Sequence, residues 1–519
     1  MIIIIANFLT YLLALLLPYL NGYFFDMLIL APKEQNIVRF GVMIIILGMI
    51  STILTYMFSV YKAEIKSKLT FEMFNDIVCH IQRSDYMQSS KFNPTYLHQR
   101  INTDINVLWT FFFEKIINVI FQMVTIVVVF LVIGKLSVPL LILTIALIPV
   151  YVLSYMRMRK PLYEKGLKYK NTQSKFYKAM NEQLEFIKII KLWEHYEVNE
   201  SKRINNYEKY LKDFMKYNKL SSFYNCLEGS ISLIFKVIAL VIAGFQILYG
   251  DLTLGTYTIV SVYFGMLIQN LKFFFVFGQA YQDAHNSFKR ICELLNLQLE
   301  RCGGIQITEK IENLEINHMN FSYDSRVIFE DLNFQLKKGI NLILGANGKG
   351  KTTLLHNICG LLLGTENSNV KVNSYNLRDI DINDFRRNKI AIYIQNQRSM
   401  DETVEQMLSE YLGSDLSNLS EMIHNNGLEK LYLSSQFHIH SFLKCNICSL
   451  SGGEAQRIHL LPVFLKKADL IILDEPTSDL DFDTKKEVVK ILQRKTDSIV
   501  LIATHEEYLY EKNVNIITL

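Results

Sequence analysis

Six long apolar runs, all within the first 290 residues of a 519-residue chain, constrain this sequence more than any other feature. They cover 2–29, 37–61, 111–133, 137–157, 223–248 and 252–279. Each reaches about 18 residues or more, the length that crosses a bilayer. Lipid offers backbone amides no water to bond, so each run is expected to be a helix. Residues 305–519 hold no such run. The chain is therefore neither purely soluble nor purely membrane, and at about 100–200 residues per domain it makes two to four domains. The division expected is a transmembrane part, 1–300, and a soluble part, 301–519.

The gaps between runs alternate in length. Residues 30–36, 134–136 and 249–251 are short, whereas 62–110 and 158–222 are long, polar and helix-prone. From Arg157 to Lys219 there are sixteen Lys and Arg against eight Asp and Glu. The positive-inside rule puts such segments in the cytoplasm. The N-terminus, both long loops and the soluble half then share one side. The first run lacks a basic leader and a small-residue cleavage site, so it is not a removable signal. The sequence as it stands begins inside that run, which implies no helix and no peptidase domain ahead of it.

Composition excludes two classes. The net charge of +4 comes from dispersed Lys and Arg, and a nucleic-acid partner would need a clustered basic face. Seven scattered cysteines argue against a disulfide scaffold. Cys445 and Cys448 make one CxxC, which without a second pair or a histidine cluster reads as two small residues rather than a metal or redox site.

After Gly303-Gly304 strand-like segments alternate with helical stretches: Leu314 to Phe321, Ile340 to Leu344, Ile390 to Ile394, Leu470 to Leu473 and Ile499 to Ala503. That pattern predicts an α/β fold with a mainly parallel sheet. The strand ending at Leu344 runs into Gly345-Ala-Asn-Gly-Lys-Gly-Lys351-Thr352 and then a helix, the phosphate loop in its required context. Its glycines let backbone N–H groups close on phosphate oxygens, and the helix N-terminus adds its positive end. Gly345, Asn347, Gly348, Gly350, Lys351, Thr352 and Thr353 are the expected nucleotide contacts. Lys351 reaches the β- and γ-phosphates and Thr352 ligates Mg²⁺. A second strand delivers Asp474, the expected Mg²⁺ partner, and Glu475, placed to orient or activate the attacking water.

Leu450-Ser-Gly-Gly-Glu-Ala-Gln-Arg457 resembles the signature of ATP-binding cassette (ABC) proteins. The other marks of that family follow in order. Tyr323, 28 residues before Lys351, resembles the aromatic that stacks on adenine. Gln395 resembles the Q-loop glutamine, which joins Thr352 and Asp474 at Mg²⁺ and serves the reaction. Ser478-Asp-Leu-Asp481 resembles the D-loop, and His505 the switch histidine near the γ-phosphate. The membrane half is similar to exporters with six spans fused to one cassette. Leu17-Pro18, Gly22 and Asp26 resemble the end of the first span. Arg100 to Asn106 and Ile187 to Trp193 resemble the two cytoplasmic coupling regions, and Ala284 to Leu295 the helix leading into the cassette.

The resemblance implies a six-helix all-α transmembrane domain joined to an α/β P-loop ATPase, with ATP and Mg²⁺ as cofactors. It also implies that Ser451 and Gly453 of one chain close over ATP held by Lys351 of another. The chain must then dimerise with a second copy or a homologous half. Glu475 and His505 are both retained, which permits a homodimer. Departures from the family pattern are Glu454 for Gln, Ala346 and Lys349 for Pro and Ser, the missing Gly-Glu-x-Gly before the signature, and Leu461-Pro-Val-Phe after it. None removes a group needed for hydrolysis; the third bears on how the cassette signals to the partner's spans.

The cargo is less legible. Gln122, Glu228, Lys236, Gln269, Asn270 and Lys272 lie within spans, and intramembrane charge faces a cavity or a partner because lipid penalises it. For Lys236 and Lys272 cavity and structural pairing weigh equally. Phe273, Phe274, Phe275, Phe277 and Tyr281 form an aromatic stripe, which reads first as helix packing. Three functions are carried forward. One is export of a small peptide from the cytoplasm across the plasma membrane. The second is export of a lipid or hydrophobic drug, and the third is a cassette that regulates a partner without transport. The partners expected are the second half, the cargo and membrane lipid, with no nucleic acid.

Overall fold

The computed structural model describes residues 2–30, 34–92, 94–300, 303–323, 326–346, 348–362, 369–395, 401–413, 416–506 and 514–519. Two compact units emerge, Met1–Cys79 with Pro94–Asn296, and His80–Asn93 with Leu297–Leu519.

The first unit is all helix. It contains α1 (Ile2–Leu30), α2 (Glu34–Gln82), α4 (Pro94–Thr110), α5 (Ile117–Leu136), α6 (Val138–Glu185), α7 (Ile187–Leu192), α8 (Tyr196–Leu248) and α9 (Leu254–Leu295). A π-helical turn, Phe111–Ile116, fuses α4 to α5. Among the described residues, six helices are long and apolar enough to cross a membrane. The polar segments 62–110 and 158–222 are largely continuations of those helices rather than separate loops.

Residue spacing explains the packing. On α5 the buried face is Ile117, Phe121, Thr125, Val129 and Ile133, and on α6 it is Leu140, Thr144, Leu147 and Tyr151. These are the three- and four-residue steps of one helix face. Val129, Ile133, Leu140, Leu147 and Tyr151 close on Ile259, Tyr263, Phe264 and Leu267 of α9. Gly22 and Gly255 let α1 and α9 touch backbone to backbone. A Cβ on Gly255 would lie 2.1 Å from the Gly22 carbonyl oxygen. Asp26 then caps α9, accepting from Gly255 N–H at 2.8 Å and from Thr253 Oγ1 at 2.8 Å. The residues resembling the end of a first span thus have a packing role.

Arg100 to Asn106 lies inside α4. There Asp104, 2% exposed, accepts from Ser287 Oγ at 2.9 Å and from the Arg290 guanidinium of α9. The segment between α2 and α4 that belongs to the second unit is instead α3 (Tyr86–Ser89). Asp85 N–H donates to Gln298 O at 2.8 Å, and Tyr86 packs edge-on against His356. Four residues are too short for a periodic signal, so sequence reading placed this contact about fifteen residues late.

Among the described residues, the second unit has two main sheets. Four strands, β1 (Leu314–Tyr323), β2 (Arg326–Leu336), β4 (Asn369–Val372) and β5 (Tyr375–Asn376), make an antiparallel sheet in the order β2-β1-β4-β5. Leu314 to Phe321 therefore does not join a parallel sheet; its alternating burial is that of a strand with one covered face. The parallel sheet orders β9-β3-β8-β7-β6, with β3 Gly339–Leu344, β6 Ile390–Tyr393, β7 Leu470–Asp474, β8 Ile499–Ala503 and β9 Asn515–Thr518. Its strands feed both cores. Ile471 and Leu473 enter one, and Leu470 and Ile472 the other. Burial on both faces is why these strands read as unbroken apolar runs.

Candidate nucleotide site

In parallel α/β sheets ligands bind beyond the carboxyl ends of the strands. Here Ile343 of β3 and Asp474 of β7 both pair with Ala503 of β8, so three chain crossings end level with each other. The phosphate loop leaves β3 and enters α10 (Lys351–Ile358). Gly348 and Gly350 have φ of 82° and 95°, where a Cβ is strained. Gly350 is required twice, because a Cβ there would also lie 2.5 Å from Ile328 Cγ2.

Lys351 is 8% exposed and donates to the Gly345 carbonyl at 2.8 Å, with Glu475 Oε1 3.7 Å away. The loop thus holds the lysine by a weak internal acceptor that a phosphate oxygen can replace. Thr352 Oγ1 donates to Asp474 Oδ2 at 2.7 Å. Asp474 is 2% exposed, and burial raises its carboxyl above the usual range despite that hydrogen bond. A carboxyl raised in the fold costs stability once it ionises, so the nucleotide-free cassette loses stability as pH climbs through that raised value. Asp474→Asn is therefore expected to raise the melting temperature of the nucleotide-free protein at neutral pH while ending hydrolysis. An unchanged or lower melting temperature would contradict the stated cause.

Glu475 leaves β7 with φ 49°, a conformation that costs an L-residue about 1–2 kcal/mol. Its N–H donates to Ala503 O at 2.9 Å. One carboxylate oxygen is then near Lys351 and the other is 3.0 Å from His505 Nδ1. The structure thus brings Lys351, Thr352, Asp474, Glu475 and His505 together. Gln395 lies exposed two residues past β6, whose Tyr393 pairs with Leu473. Thr353 follows Thr352 in the first turn of α10. Tyr323 ends β1, exposed, with its ring edge-on to Phe321 at 5.0 Å. Asn347 lies outside the described residues.

Ser451 caps α11 (Gly452–Leu465). Its hydroxyl donates to Glu454 Oε2 at 2.7 Å and its N–H to the same oxygen at 3.0 Å, the glutamate half of a capping box. These bonds hold the Glu454 carboxyl below its usual range. Glu454 thus does a capping job that accounts for a carboxylate at this signature position. Gly453 admits no side chain, since a Cβ would meet Asp479 O at 2.9 Å.

Two groups escaped sequence reading. Gln456 donates to Glu475 O at 3.2 Å and accepts from Asp479 N–H at 3.0 Å, tying the signature helix to the segment after β7. Glu506 is 6% exposed and accepts from Thr477 Oγ1 at 2.6 Å, with Lys485 Nζ at 2.5 Å. The only local signal is a second acid beside His505.

Fold and site together define an ATP-binding cassette with membrane helices on the same chain. The chain belongs to the ABC transporter family: the ABC transporter transmembrane region matches residues 1–271 and the ABC transporter cassette 329–478. It is a half-transporter, a multi-pass membrane protein and an ATP-hydrolysing exporter. It is 23% identical over 95% of its length to 82% of an ATP-dependent lipid A-core flippase of Syntrophus aciditrophicus. It is 26% identical over 58% of its length to 43% of the sublancin-168-processing and transport ATP-binding protein of Bacillus subtilis. Its fold is similar to that of a bacterial Atm1-family ABC exporter with ATP bound, at a TM-score of 0.85 and 14% identity, covering 100% of this chain and 93% of the other.

Proposed function

We propose that this half-transporter pairs with a second copy or a homologous half and exports a small peptide across the plasma membrane. The observation that carries the cargo reading is one face of α9. Ser261, Gly265, Gln269, Lys272, Val276 and Gln279 follow at helical spacing, open or part-open, while Leu267, Ile268 and Leu271 are buried behind them. Hydroxyl, amide and ammonium groups within a span are costly against lipid, so they line water or a partner. A path lined with amides suits a solute rich in amides. The aromatics serve the bundle, since the Phe273 ring packs at a tilt against Phe277 and Phe277 against Phe111. The side chain of Phe275 lies outside the described residues.

The engine in this reading uses the residues already placed. Lys351 meets the β- and γ-phosphates, Tyr323 stacks on adenine, and Glu475 and His505 attend the attacking water and γ-phosphate. Thr352 and Asp474 present adjacent oxygens, the hard donors Mg²⁺ takes, with Gln395 as the third ligand. The ion, when bound, neutralises phosphate charge; positioning is the protein's share. Ser451 and Gly453 of one copy close over the ATP of the other. The exposed tip Phe186, Ile187, Leu192 and Trp193, 49–70% open, supports docking of α7 on a second cassette. ATP that binds the closed pair better than the open one supplies the differential affinity that moves the spans.

The likeness to a flippase over nearly the whole chain favours export of a lipid as the second reading. The test is a mass-spectrometric comparison of medium and membranes from cells expressing wild type or Glu475→Gln at equal levels. A peptide in wild-type medium and retained in mutant cells is the expected result. Unchanged medium with an altered outer-leaflet lipid would replace the peptide with a lipid. No difference in either would leave efflux of a hydrophobic drug under challenge, or the regulatory cassette.

A further inference from the structure

Lys236 lies on α8, twelve residues before its outer end at Leu248 and thirteen after residue 223, where the apolar run begins. At 1.5 Å per residue those ends are roughly 18 Å and 20 Å away. Snorkelling carries an ammonium only a few ångströms along its own stem, so neither interface is within reach. Lys236 is exposed, and among the described residues it has no hydrogen-bond, ion-pair or ring partner. Asn225, Gly229 and Ser232 precede it at helical spacing on the same flank, each open or part-open. An unpaired charge at mid-depth with a polar flank faces water.

Lys272 is a contrast. It lies roughly 27 Å from the outer start of α9 at 1.5 Å per residue. It is paired with Glu228 at 3.4 Å, a carboxylate whose own residue is 6% exposed. That lysine is neutralised within its chain; Lys236 is not.

A second copy brings no spare countercharge. The six runs contain three acids, Asp26, Glu114 and Glu228. Asp26 caps α9 near the outer surface, Glu228 holds Lys272, and Glu114 sits in the turn at the inner end of its span. None is free at the depth of Lys236, and pairing two copies doubles the positive charge.

We infer that Lys236 receives an anionic group of the cargo, a carboxylate or phosphate, halfway along the path. The inference rests on the export reading above and narrows the cargo to solutes carrying negative charge. The test uses the full-length protein in inside-out vesicles of phosphatidylcholine, with ATP-driven uptake as the readout. The first probe is an N-acetylated hydrophobic pentapeptide with a free C-terminal carboxylate, compared with its C-terminal amide. The second is fluorescent phosphatidylglycerol, compared with phosphatidylcholine bearing the same label.

Wild type is expected to prefer the anionic member of at least one pair about tenfold in half-saturating concentration. Lys236→Gln and Lys236→Met are expected to lose that preference and Lys236→Arg to keep it. Preference in the lipid pair alone upholds the charge inference and overturns the peptide. Transport of acid and amide alike, with no preference in the lipid pair, upholds the peptide and overturns the charge inference. A preference that survives in Lys236→Gln or Lys236→Met overturns the assignment to Lys236, and no preference in either pair overturns the inference.

Discussion

Glu475→Gln is expected to bind ATP and to hydrolyse it about 10²–10⁴-fold more slowly, the usual span for loss of a positioned general base. The substitution keeps the shape and the backbone anchor to Ala503 O, so the left-handed turn at residue 475 survives. What goes is the proton acceptor. Glu475 is 6% exposed between Lys351 and His505, a place where a carboxylate is expensive unless it is used. A strained non-glycine backbone at the end of a buried strand points the same way. The checks are phosphate release and retention of labelled nucleotide on the closed dimer. Turnover within a few-fold of wild type would remove Glu475 from the role assigned.

The parts legible in the sequence share one property: their physics is local. A span needs an unbroken apolar run. The phosphate loop needs glycines, a lysine and a hydroxyl at fixed offsets between a strand and a helix. Lys351, Thr352, Asp474, Glu475 and His505 come together because three neighbouring parallel strands end level. The parts not legible depend on distant partners. β2 has an irregular exposure pattern and is defined by pairing with β1 through several register shifts. Helix α3 has four residues and is placed by Gln298 and His356, more than two hundred positions away. Lys236 and Lys272 were equivalent in sequence. The structure separates them, because Glu228 is eight residues from Lys236 on the same helix yet meets Lys272 on the next one.

Glu506→Ala is expected to be the most destabilising change in the cassette outside its cores. Glu506 joins three pieces that the reaction needs in register: Thr477 after β7, Lys485 on α12 (Phe482–Gln493), and the backbone that carries His505. Removing its carboxylate leaves the Lys485 ammonium, 14% exposed, without its ion pair and the fully buried Thr477 hydroxyl without its acceptor. Breaking a buried pair from one side costs about 3–5 kcal/mol, because the surviving charge cannot regain water. Calorimetry of the full-length protein should show that loss. Turnover should fall more than ATP affinity, since Lys351 is held by the Gly345 carbonyl and Glu475. Glu506→Gln can still accept from Thr477 but does not neutralise Lys485, so its loss should fall between wild type and Glu506→Ala. A melting temperature unchanged in both variants would mean that Lys485 finds water instead, and that the cluster does not hold His505 in place.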